Sequence, residues 1–130
     1  MSAYAETLPA QAAAGATSTT VIGTTEATDD TSNVLSGVTL TPPAGFTTVT
    51  GVATNNVTFN VRQLRSGAVL GTVASVTLNA GTNLVAETPL TVPVTNPVAV
   101  ESGDVFDVQM VQNGTGLAVG AGVAVQVDLI

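Results

Sequence analysis

Arg62 and Arg65 are the only two cations in a chain of 130 residues with nine carboxylates, and the chain has no histidine and no cysteine. The commonest general base and metal ligand is therefore missing, and so is any thiolate or disulfide. A serine or threonine nucleophile would have to take its base from a carboxylate. Asp104 and Asp107 are the pair best placed to be tested as acid and base. Three positions apart on a strand, however, they point to opposite faces, which spoils them for joint work on one substrate. Glu26, Asp29 and Asp30 share a Thr-rich loop and could offer oxygens to a hard cation. That loop lacks the alternating ligands and central glycine of a calcium-binding helix–loop–helix, so it reads as solvated carboxylates, with no metal and no cofactor expected. Gly114, Gly116, Gly120 and Gly122 form a glycine-rich run without the lysine or the helix that a phosphate loop requires. Two readings stay open for the arginines: exposed ion pairs serving solubility, or bidentate contacts to an acidic partner surface. The expectation is a binding or structural protein and not an enzyme.

The elements that must position these residues are short strands. Val57, Phe59 and Val61 alternate with Thr58, Asn60 and Arg62, giving one buried and one wet face and leaving Arg62 reachable. The same period of two runs through Val34, Ser36, Val38 and Leu40, ended by Pro42 and Pro43, and through Phe106, Val108 and Met110. Further strands are predicted over Thr20 to Thr25, from Phe46 through Val52, after the Ser66–Gly67 turn as far as Leu78, and over Leu84 to Val94. Pro89 and Pro93 place the last of these at an edge or corner. Leu117 to Leu129 reads as a long final strand following a turn at Asn113–Gly114. Its second face, from Ala118 through Gly120, Gly122 and Ala124, is small enough for another backbone or subunit to approach. Eight or nine strands with no helix between them predict an all-β antiparallel sandwich over residues 20–130. Residues 1–19, rich in Ala, Thr and Ser and without a period, are expected to be an extended N-terminal arm, either flexible or docked on a partner.

Composition narrows the partners. Charged residues are 8% and hydrophobic residues 45% of the chain, so disorder is not expected. A net charge of -7 argues against nucleic acid and anionic membranes. No apolar run reaches the roughly 18 residues of a membrane helix, and the N-terminus does not read as a secretory signal. Aromatics are 3%, too few for a convincing carbohydrate platform.

Val92, Pro93, Val98 and Val100, then Glu101, Ser102, Gly103, Asp104, Val105 and Phe106, followed by an apolar strand and an Asn-Gly turn, form a longer pattern. It resembles the C-terminal half of the jelly-roll-like decoration, or capsid cement, proteins that coat tailed bacteriophage heads. The likeness is strongest over the last 50 residues or so. It implies a homo-oligomer, with a trimer favoured, seated on the outer surface of the capsid after synthesis in the host cytoplasm. There it would tie neighbouring major capsid protein subunits together without catalysis. The docking arm would carry Tyr4, Leu8 and Pro9, with Arg62 and Arg65 as further partner contacts. The competing reading is a receptor-binding or adhesion sandwich of a phage tail or cell surface.

Overall fold

Strict alternation of β-branched and polar residues builds the centre of the molecule, seen in a computed structural model that describes residues 2–25, 33–96 and 99–130. Eight strands form: β1 (Ser2–Thr7), β2 (Ser18–Thr24), β3 (Leu35–Thr41), β4 (Val57–Arg65), β5 (Ala68–Thr77), β6 (Leu90–Thr91), β7 (Val105–Gln112) and β8 (Ala124–Leu129). No helix occurs among the described residues. The chain is an all-β sandwich of two four-stranded antiparallel sheets, ordered β1-β8-β3-β6 and β2-β7-β4-β5. The pairing is nested: β4 with β5, β3 with β6, β2 with β7, and β1 with β8. β8 also pairs with β3, and β7 with β4, which closes each sheet.

The inward sides meet in one core. Phe59 and Val61 of β4 and Phe106, Val108 and Met110 of β7 pack with Val38 and Leu40 of β3 and Val125, Val127 and Leu129 of β8, all buried. Each such Val or Leu contributes about 1.5–3 kcal/mol by leaving water. The β4–β5 hairpin turns on Ser66 (φ 53°) and Gly67 (φ 78°), the double positive φ of a two-residue turn that matches strand twist.

Departures from the sequence reading have local causes. Phe46 to Val52 is a loop held by an isolated bridge, Val49 N–H to Leu84 O and its reciprocal at 3.0 Å, and by Gly51 N–H to Asn83 Oδ1 (2.8 Å) and Val52 N–H to Leu78 O (3.0 Å). Leu84 to Val94 shrinks to the two-residue β6, flanked by Pro89 and Pro93. The final strand begins only at Ala124, because Leu117 to Val123 loops across the sandwich end with Val119 bridged to Gln11. These loops look strand-like in sequence because Val49, Leu84, Val119 and Val123 are all buried in the core. In β5 the alternation breaks at two register slips: opposite Val61 and Arg62, where Val73 and Ala74 are both buried, and opposite Gln63 and Leu64, where Leu70 is exposed.

Residues 2–19 do not stand clear of the body: they hold β1 and the start of β2, with a turn closed by Gly15 N–H to Ala12 O (3.0 Å) between them. β1 lies along β8 in unbroken register from Ser2 opposite Leu129 to Thr7 opposite Ala124. Leu8 is 3% exposed and donates its N–H to Val123 O at 2.8 Å, Gln11 is buried, and Ser18 and Thr19 already belong to β2. Backbone pairing and two inward side chains are enough to hold a segment that lacks a hydrophobic period. The acidic cluster Glu26, Asp29 and Asp30 lies outside the described residues, as do Pro97 and Val98 of the resemblance.

Candidate functional site

Arg62 and Arg65 of β4 face β7 in register, which sets Arg62 opposite Asp107 and brings Arg65 to Asp104, just before β7 begins. Two arginines three apart and two aspartates three apart on antiparallel strands come into opposition together, one pair on each face of the sheet. Arg62 donates Nε–H to Asp107 Oδ1 at 2.8 Å and Nη2–H to Oδ2 at 2.7 Å, a bidentate fork on the outer face. Its side chain is 21% exposed and that of Asp107 5%. The strong hydrogen bonds to Asp107 hold the Arg62 guanidinium above its ordinary pKa.

Asp104 is the more enclosed of the two carboxylates. It accepts Arg65 Nε–H at Oδ1 (2.9 Å), and at Oδ2 it accepts Arg65 Nη2–H (2.9 Å), Gln63 Nε2–H (2.9 Å) and the Glu101 backbone N–H (3.0 Å). Arg65 also pairs with Glu101 and donates to Ala99 O at 3.2 Å. The hydrogen bonds from Arg65 lead in pulling the Asp104 carboxyl down to about 2, aided by Glu101 N–H and Gln63 and opposed by burial. The Arg65 guanidinium is raised in turn by its bond to Asp104. Thr25 anchors the same turn, its hydroxyl donating to Glu101 O (3.1 Å) and Asp104 O (3.0 Å). Both aspartates are therefore engaged by an arginine, and Asp104, ionised down to about pH 2, is a poor base.

A groove of about 670 Å³ opens at the other end of the sandwich, between residues 45–50 and 117–121. Phe46, Leu117 and the hydroxyls of Thr47, Thr48 and Thr50 line it, and it holds no titratable side chain. The small residues Gly120 and Gly122, expected to let another backbone or subunit approach, face the rings of this chain's own Phe46 and Pro43. A side chain at Gly120 would meet Phe46, and one at Gly122 would meet Pro43.

The other sequence-named residues are scattered over the body. Tyr4 of β1 is half-buried, packed against the core, and its ring lies so close over Gly23 that a Cβ there would force one of them to shift. Leu8 is inside the core and offers no surface, whereas Pro9 is exposed. Sequence reasoning considered Asp104 and Asp107 only as an acid–base pair and missed their role as arginine partners. The matching spacing of three was the available signal, but it needs the register of two strands about 40 residues apart. Gln63, buried with its Oε1 unpartnered among the described residues, left no signal at all. No group of acidic residues among the described residues is disposed to hold a metal ion.

The outer sheet faces carry almost no charge. On the β1-β8-β3-β6 face, Ala3, Ala5, Thr7, Ala124, Gln126 and Thr39 leave Asp128 as the one ionic side chain among the described residues. On the other face the Arg62–Asp107 pair neutralises itself. Compared with known proteins, the chain matches no family model, no curated protein and no solved structure.

Proposed function

We propose that this chain is a structural protein, without catalytic activity, that binds the outer surface of an assembled phage head and reinforces contacts between major capsid protein subunits. The observation that carries this reading is the pair of broad, nearly uncharged sheet faces on a body whose two arginines are engaged with its own carboxylates. Such a body offers shape and area, which is what a lattice-binding clamp needs, and many copies acting together compensate for weak individual contacts. The nested pairing of eight strands in two sheets supports a jelly-roll-like architecture, the one the resemblance implies.

Incubation of purified protein with undecorated heads, followed by pelleting and imaging, tests the proposal. Added density at symmetric surface positions is expected, and heads that pellet without the protein would reject it. The groove at Phe46 favours a second reading, a receptor-binding or adhesion module, because it is a concave surface that a ligand could occupy. Saturable binding to a glycan or receptor array that is lost on Phe46→Ala would put that reading first.

A further inference from the structure

Each sheet edge must be paired, covered or blunted if the chain is to stay solitary. Three of the four are. β6 is only two residues long. β2 is kinked by a register slip between Val21 and Gly23. β5 carries two slips and is partly covered by residues 93–95, through Ser75 N–H to Pro93 O (3.1 Å) and Thr95 N–H to Val73 O (2.9 Å). β1 differs: it runs six residues without a slip, proline or lysine.

The alternation of hydrogen bonds fixes which amides are open. Leu8 N–H points to Val123, and Ile130 exchanges two 3.0 Å bonds with Val34 on the far side of β8. Even-numbered residues of β1 therefore bond to β8, and Ala3, Ala5 and Thr7 turn their backbone outward. Thr7 N–H is already taken by the Glu6 carboxylate at 2.9 Å. Among the described residues, the open template is thus Ala3 and Ala5, with Tyr4 between them.

We propose that β1 pairs antiparallel with β1 of a second copy of this chain about a two-fold axis at Tyr4, joining two four-stranded sheets into one of eight. In this register Ala3 faces the partner's Ala5 and Ala5 the partner's Ala3, forming four backbone hydrogen bonds. Tyr4 meets the partner's Tyr4, and Glu6 lies opposite the partner's Ser2, so no carboxylate opposes another despite the acidic chain. The contact leaves the Glu6–Thr7 clamp intact. It builds a two-fold assembly, distinct from the trimer the resemblance implies, and does not depend on binding to any capsid.

Light scattering on the purified chain should give the mass of two copies, and photo-oxidation should yield a dityrosine cross-link at Tyr4, the sole tyrosine. Ala5→Pro removes an outward N–H without touching the β8 ladder and should leave a monomer with unchanged circular dichroism. Register is tested by charge. The double variant Ala3→Glu/Ala5→Glu sets like charges opposite each other and should weaken association about tenfold or more, whereas Ala3→Glu/Ala5→Lys should restore it. A monomeric wild type at every concentration, or an oligomer of any size insensitive to both Ala5→Pro and the charge swap, would overturn the proposal.

Discussion

The two ends of the β2-β7-β4-β5 sheet are closed by different chemistry. At one end Asp104, Arg65, Glu101 and Gln63 tie the start of β7 to the end of β4 through charge. At the other end neutral amides do the same work. Gln11 donates to Met110 O (2.8 Å) and accepts from Gln112 Nε2 (2.8 Å), while Gln112 Oε1 accepts Leu117 N–H (2.6 Å). Asn113 Nδ2 donates to Asn56 Oδ1 and Thr58 Oγ1, both at 2.9 Å. A charged closure is strong but fails when its acid is protonated, whereas an amide closure is indifferent to pH.

Removing the central carboxylate should break the comparison most sharply. Asp104→Ala strands the Glu101 N–H and leaves Arg65 with Glu101 and Ala99 O and Gln63 with Ala99 O alone, at a cost of about 3 kcal/mol, and should lower the thermal midpoint by about 10 °C in calorimetry. Acid should reproduce most of that loss without mutation. Because the native carboxyl sits at about 2, below its unfolded value, the unfolded chain takes up the proton first as pH falls. Stability should be level above about pH 5 and fall by about 2 kcal/mol on the way to about pH 2, a step seen in urea titrations and absent from Asp104→Asn. At the amide end, Asn113→Ala should cost about 1–2 kcal/mol at neutral pH and leave the acid step unchanged, which would sharpen the contrast. Glu101→Gln touches only the exposed ion pair to Arg65 and should leave the midpoint within about 2 °C.

The parts of the fold legible in sequence were those where the period of two is uninterrupted: β4 through Gln63, Phe106, Val108 and Met110 of β7, and Val38 and Leu40 of β3. At the start of β3, by contrast, a slip between Leu35 and Gly37 buries Leu35 and exposes Ser36, which the period of two puts on the same face as Val38. β1 was not legible, since SAYAET sends only small or polar residues and one tyrosine to its faces and is held by backbone pairing that sequence does not display. The loops around Val49 and Val119 misled in the opposite direction, because plugging the end of a sandwich demands the same valines as building a strand. Of the candidate site, the exclusion of histidine and thiol chemistry needed composition alone. The Arg62–Asp107 and Arg65–Asp104 pairs needed strand register, which depends on turns and bulges far from either partner. The opposite faces of Asp104 and Asp107 did follow from spacing.

The nested order of pairing also sets a timetable for synthesis. Only the β4–β5 hairpin can close locally; each pair outside it spans a longer stretch of chain, and the outermost joins β1 to β8. β1 leaves the ribosome before the other seven strands, yet its ladder partner β8 follows all of them, so β1 waits unpaired until the rest of the sandwich has emerged.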